Sequence, residues 1–451
     1  MLKFKLVKLL LCPFLLALLT SCPTATDEGN LFNANSKKAA DFDARFINEW
    51  FELVYHYVAY ERVKPPLASR IYAYLGVGIY ESVICGMPEY VTLEGQLKEL
   101  KDLPRPDKNL EYDWPTVLSS TLYLVSDELI SQFLMSVTDD FKNLRDRQFN
   151  ERKEHVDGEV FKRSKDYGNQ LSEALLAWIQ VDNFDETRYN SFYQLPDRAG
   201  HPERWEPTSS IQEACEPYWS TLRTFVMDDA KSCQPKMSVD FSTDTVSEFF
   251  KQVEEVLWFD RNMTEDQRQI SLFWADDPGE TATPPGHWTN IMNQISRKEN
   301  LTLDKAAEMY VWVGIGIAES FLSTWYTKYD VNLVRPKTYI QEFLDLPYWE
   351  PLVETPPFPE YTSAHSSVSM CAAELLTDLY GENYKFTDST HLKIGLAPRS
   401  FNNFKQAAVE AGMSRLYGGI HYRFSIDDGL EQGTCLSEII KERVVLRAKT
   451  N

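Results

Sequence analysis

Glu360-Tyr361-Thr362-Ser363-Ala364-His365-Ser366-Ser367 is the stretch on which the fold and the chemistry turn. Pro356, Pro357 and Pro359 precede it, and an apolar helical run from Val368 to Leu379 follows. Prolines before such a run place a helix N-terminus here. Ser363 or Thr362 is suited to cap it. The first turn of a helix offers free N–H groups and a positive dipole, so it takes an oxyanion readily. Ala364 is small enough to let a ligand approach the backbone, and His365 can then transfer protons to a bound group. Taken singly, a histidine in a first helical turn is more often structural, so the neighbouring segments must decide.

Upstream lies Lys328-Tyr329-Asp330-Val331-Asn332-Leu333-Val334-Arg335-Pro336. Lys328 and Arg335 would share a face if this segment were helical, although Pro336 disfavours helix at Arg335 and predicts a turn. Downstream lies Ser414-Arg415-Leu416-Tyr417-Gly418-Gly419-Ile420-His421-Tyr422-Arg423-Phe424. A helix from Phe401 is expected to end at the two glycines, aiming Arg415 and His421 at a common centre. Arginine offers a planar fork for phosphate-like oxygens, and a neutral histidine nitrogen is a nucleophile or a metal ligand.

The wider chain reads as all-α. Phe42, Phe46, Trp50, Leu53 and Val54 recur at helical spacing, as do Leu67–Val83, Val117–Leu134, Gln170–Ile179, Val246–Trp258 and Leu301–Tyr326. Period-2 alternation is scarce. Residues 181–240 are polar and proline-containing with interspersed aromatics (Tyr189, Phe192, Tyr193, Trp205, Trp219), and read as a long surface excursion, a lid or a channel wall. Phe273–Gly279 and Pro284-Pro285-Gly286-His287-Trp288 read as shaped loops. The resulting division is 38–240, an N-terminal helical part with the excursion, and 241–451, a helical bundle carrying the oxyanion site.

The net charge of −21 excludes nucleic acid as a partner. It also means that clustered lysines and arginines form a local pocket, not a general basic surface. Lys3, Lys5 and Lys8 precede an apolar run from Leu9 to Leu19, and Leu19-Thr20-Ser21-Cys22 follows. This has the form of a secretory signal, residues 1–21, ending in a bacterial lipobox with lipid on Cys22. Cleavage there removes three lysines and no acid, taking the charge to −24. Residues 22–37 read as a flexible tether, and the expected location is an outer membrane or cell surface. None of the seven cysteines forms a CxxC pair, which leaves a structural zinc site unsupported. Cys215 and Cys233 are either a disulfide or two free buried thiols.

Lys-x6-Arg-Pro, then Ser-Ala-His, then Ser-Arg-x5-His, in this order across residues 328–427, resembles the signature of the type 2 phosphatidic acid phosphatases and the vanadium-dependent haloperoxidases. The resemblance implies a large helical-bundle fold of the vanadium haloperoxidase/acid phosphatase type. It implies an oxyanion, vanadate or phosphate, neutralised by Lys328, Arg335 and Arg415, with Ser363 and the Ala364 N–H donating to its oxygens. His365 would be the acid/base. His421 would ligate vanadium in a haloperoxidase acting on hydrogen peroxide and iodide or bromide, or attack a phosphomonoester in a phosphatase. The length, the lack of spanning helices and the aromatics favour the haloperoxidase, with Trp325 and Phe358, and beyond them Tyr326, Trp274 and Trp288, as a possible halide pocket. A non-catalytic oxyanion- or glycan-binding surface lipoprotein is the third reading. Thr362 stands where the family usually has Pro, Ala364 where it has Gly, and Ser425 where an Asp would orient His421. Asp427 is the expected substitute for that Asp.

Overall fold

The structure, a computed structural model, describes residues 31–134, 138–188, 193–209 and 213–448. Its helices are α1 (Arg45–Tyr60), α2 (Pro65–Val83), α3 (Trp114–Ser131), α4 (Asp140–Lys153), α5 (Gly158–Gln180), α6 (Phe184–Arg188), α7 (Glu248–Asn262), α8 (Glu265–Phe273), α9 (Thr283–Lys298), α10 (Leu303–Val331), α11 (Pro336–Phe343) and α12 (Ala364–Tyr380). A two-stranded antiparallel ribbon follows, β1 (Phe386–Asp388) and β2 (Arg399–Phe401), with Phe386 opposite Phe401. Helices α13 (Phe404–Tyr417) and α14 (Arg423–Arg443) close the chain. The all-α expectation holds.

Helix α10 is the axis. Its 29 residues are buried almost all round, the pattern of a helix enclosed by others. Helix α2 packs against it so closely that a β-carbon at Gly76 would lie 2.9 Å from the Tyr310 carbonyl oxygen. Helix α14 approaches α12 in the same way: a β-carbon at Gly433 would lie 2.3 Å from the Ser367 carbonyl oxygen. The parts read as 38–240 and 241–451 share one hydrophobic core, which includes Phe46, Tyr72, Trp288, Tyr310 and Leu375. Among the described residues no helix is long and apolar enough to cross a membrane.

Several expectations are corrected. Pro284 and Pro285 open α9, where proline's missing N–H costs nothing, so the stretch read as a loop is a helix start. The tether ends sooner than residue 37. Asn33 is buried, its N–H donating to the Cys85 carbonyl and its side-chain amide to the Leu110 carbonyl, while Ser36 Oγ accepts from the Tyr112 N–H. The signal, Cys22, Tyr189 and Phe192 lie outside the described residues. The described part of the excursion runs as a strap across the motif segments. Its backbone bonds to the first motif segment through Val334 N to Glu203 O and Trp205 N to Asn332 O, and to the second through Cys215 N to Pro357 O. Cys233 is bonded not to Cys215 but to Cys435 on α14, 202 residues away, and Cys215 is a free buried thiol.

Glu319 on α10 is fully buried and accepts from the Val226 and Met227 N–H groups of the strap's end. Burial pushes its carboxyl up to about 7 from the ordinary 4.5, against those two hydrogen bonds. The fold therefore binds this proton more tightly than the unfolded chain does. The resulting stability is complete below pH 4.5 and is lost as the pH rises to about 7, by about 3 kcal/mol. Glu319→Gln keeps an acceptor but cannot ionise. Its melting temperature is expected to exceed that of the parent at pH 8 and to converge on it near pH 5, a difference scanning calorimetry reads directly.

Candidate active site

Helix α10 ends at Val331, where Asn332 takes a left-handed conformation, φ 54°. The chain then turns, and Arg335 becomes the residue before α11. Lys328 and Arg335 are thus brought together by a turn rather than by one helix face. Both are fully buried, as are Ser363 and Glu360. Ser363 caps α12, accepting from the Ser366 N–H at 3.3 Å, and its own N–H donates to the Ser425 carbonyl. Ala364 is the first residue of α12 and has an ordinary helical backbone, so its replacement of Gly needs no positive φ. Helix α13 ends at Tyr417, as the glycines predict, with Gly419 at φ 79°.

Ala364, His365, Arg415 and His421 line one cavity of about 390 Å³, with Trp325 and Phe358 on its apolar side. Phe358 lies over both cations, 5.0 Å from Lys328 Nζ and 5.0 Å from Arg335 Cζ. Trp325 and Phe358 are therefore on the cavity wall. Trp274 and Trp288 are not. Trp274 stacks on His287 and its Nε1 donates to Glu410, while Trp288 donates to Ser369 within the core.

The cations differ in what they leave free. Lys328 Nζ donates to the carbonyls of Pro359 (3.1 Å), Glu360 (2.9 Å) and Thr362 (2.6 Å). All three of its donors are committed, so it folds the turn beneath the site and adds charge from behind. Burial, then the nearby Arg335, pull its pKa well down. Arg335 donates to the Phe358 and Ile420 carbonyls and to His421 Nε2, at 3.0, 2.9 and 3.1 Å, and its Nη2 remains buried without a partner. Arg415 donates to the Trp274 carbonyl, and its Nε is likewise unpartnered. Unpaired buried donors are costly. Such donors on Arg415, in the cavity wall, and on Arg335, beside His421, fit an oxyanion ligand.

His421 is the most constrained group. Its Nδ1 lies 2.7 Å from Glu360 Oε1, and its Nε2 accepts from Arg335. That pattern puts the proton on Nδ1 and the lone pair on Nε2. Burial, then Arg335 and Lys328, keep the ring's pKa well below the usual histidine range, so it stays neutral. The carboxylate that orients it is Glu360, not Asp427. Asp427 is exposed, near Arg423, Asp428 and Glu255. Burial raises Glu360 to about 7 against the pull of Arg335 and Lys328, and the Tyr422 N–H and Ser425 favour its charge. Sequence reading missed this role. The only signal was an acid in a proline-flanked turn three residues before Ser363.

His365 sits across the cavity. Its Nε2 is 3.8 Å from Asp276 Oδ2 and has no hydrogen-bond partner. Burial, then Arg415, hold its pKa well below the ordinary value, while Asp276 opposes them.

A helical bundle that sets two arginines, a helix N-terminus and a neutral, carboxylate-oriented histidine together defines a class of oxyanion-holding enzymes. The family model for the second helical-bundle domain of VCPO matches residues 308–447. A crystal structure of a bacterial vanadium-dependent iodoperoxidase superposes with a TM-score of 0.83 at 34% identity, covering 90% of this chain and 98% of that one. Holo and apo forms of a bacterial vanadium-dependent chloroperoxidase share the fold, each at 13% identity and TM-score 0.61, covering 84% of this chain and 93% and 95% of theirs. A search of curated proteins finds no match. This chain belongs to the vanadium-dependent haloperoxidase family.

Proposed function

We propose that the chain oxidises iodide or bromide with hydrogen peroxide, using vanadate held at His421 Nε2. The observation that carries this reading is the neutral His421, its lone pair on Nε2 and its Nδ1–H on Glu360, beside unpaired donors of Arg335 and Arg415. Arg335 and Arg415 would neutralise the oxyanion, with Lys328 adding charge from beneath. Ser363 and the Ala364 N–H would donate to its oxygens, and the dipole of α12 favours the negative charge. Vanadate, when bound, supplies a Lewis acid that activates peroxide without changing oxidation state. His365, neutral at the start, accepts the peroxide proton and later returns it. The net reaction, H2O2 + X− + H+ → HOX + H2O, consumes one proton. Trp325 and Phe358 give the halide a dry wall. The 34% identity to an iodoperoxidase favours iodide.

The same proposal places the protein outside the cytoplasm, anchored through lipid on Cys22 at an outer membrane or cell surface. The Cys233–Cys435 disulfide supports export, because such bonds persist in oxidising compartments.

The purified protein, given orthovanadate and peroxide, is expected to oxidise iodide faster than bromide, and to hydrolyse p-nitrophenyl phosphate poorly when vanadate is withheld. Hydrolysis without any halide oxidation would sink the reading in favour of a phosphatase. The anchor is checked in cells: Cys22→Ser should move the protein from the membrane to the soluble fraction, and unchanged membrane association would refute lipidation.

A further inference from the structure

Behind His365 lies a cluster of buried charge that the reaction above does not use. Asp276 follows α8, His287 stands in the first turns of α9, Asp388 ends β1, and His391 follows shortly after. All four are buried. His287 Nδ1 is 2.9 and 3.0 Å from the two oxygens of Asp276, and its Nε2 is 2.7 Å from Asp388 Oδ2. An ionised carboxylate only accepts, and a neutral imidazole donates from one nitrogen only. Both contacts are hydrogen bonds at once only if both ring nitrogens carry a proton. The Trp274 ring stacks on His287 at 4.3 Å, a face that favours a cation.

The surroundings fit a fixed positive charge between two negative ones. Asp276 Oδ1 is 3.1 Å from His391 Nε2, and Asp276 Oδ2 faces His365. Thr390 and Gln294 donate to Asp388 Oδ1. The other titratable groups facing the cluster are Tyr55 from α1, Asp277 beside Asp276, and Arg415 and Glu410 from α13. Burial opposes a charge on His287, yet Asp276 and Asp388 push its pKa up to about 10. Burial likewise opposes the charge on Asp276, yet His287 and His391 hold its pKa well below the carboxylate range. The proton thus stays on His287, which makes the cluster an anchor and not a relay. Asp276, His287 and His391 are near enough to share a metal ion, but a metal would have to displace a proton from a histidine already bonded on both sides.

We propose that His287 is a permanently protonated positioning residue, holding Asp276 as a carboxylate aimed at His365 and limiting how far that carboxylate raises the proton affinity of His365. The consequence for turnover rests on the haloperoxidase reading, whereas the charge of His287 does not.

Two measurements test it. Nitrogen NMR of the histidine-labelled protein at about pH 8.5, without vanadate, is expected to show one of the seven histidines with both ring nitrogens protonated. Added zinc should leave that signal unchanged. No imidazolium signal, or its loss to zinc in favour of a metal centre, overturns the proposal. In kinetics, His287→Gln is expected to raise the pH midpoint of kcat for iodide oxidation by about one unit or more, and Asp276→Asn to lower it. A purely structural role would not move the two in opposite directions, and an unmoved midpoint in folded His287→Gln overturns the positioning role. If His287→Gln does not fold, Asp388→Asn keeps the ring and removes one acceptor. Its imidazolium signal should then be lost at a lower pH than in the parent, and an unchanged titration overturns the proposal. An imidazolium signal in a protein without peroxidase activity would sink the functional reading and leave the charge assignment standing.

Discussion

His421→Ala is expected to abolish halide oxidation at saturating vanadate, a loss of roughly a thousandfold or more. Among the described residues, the ring is the only side chain at the cavity that offers a neutral nitrogen with its lone pair fixed in place: Glu360 accepts the hydrogen bond of Nδ1–H and Arg335 faces Nε2. His365 does not replace it, because its Nε2 has no partner to orient it. Alanine also removes one of the donors to buried Glu360, leaving the Tyr422 N–H, so the variant's fold must be checked by circular dichroism beside the assay. A folded His421→Ala retaining a tenth of the parental rate would show that the ring does not hold the reacting group.

Glu360→Gln is the second decisive change. Glutamine can still accept from Nδ1, but it brings no charge to the ring and none to offset Arg335 and Lys328. The loss of such an outer carboxylate typically costs 10- to 100-fold in affinity for the bound metal group, and about that factor is expected in a vanadate titration. Asp427→Asn should stay within about twofold, since its neighbours are Arg423, Asp428 and Glu255. Ser425→Asp, which restores the expected motif, should impair the protein, because it places a second buried carboxylate beside Glu360. The double change Glu360→Gln with Ser425→Asp should recover part of the lost affinity. Equal titrations for Glu360→Gln and the parent would show that the carboxylate is incidental.

The motif residues were legible because their meaning is local. Ser363 caps a helix that prolines announce, and Gly418-Gly419 ends another just where Arg415 and His421 must converge. The all-α class was legible from helical spacing in the apolar runs. The orienting acid was not legible, because the distance from Glu360 to His421 depends on how the turn before α12 meets the end of α13, 61 residues later. Helix α4 was missed because it is mostly charged and buries few residues. Helix α9 was missed because two prolines at its start look the same in sequence as two prolines in a loop. The partner of Cys233 was invisible for a similar reason: nothing local links it to a cysteine on the last helix. Lys328 was placed correctly in the cluster, but its commitment to three carbonyls is a property of the folded turn.

The state of the sulfur bears on the protein's own survival. A catalyst that releases hypohalous acid works in a stream of oxidant, and thiolates are the first groups such oxidants consume. Cys233 and Cys435 have no thiol to lose, being bonded to each other. Burial pushes the thiols of Cys85, Cys371 and even Cys215, which contributes to the cavity wall, up to about 12. At neutral pH these three remain protonated, and so the described chain offers its product almost no thiolate to attack.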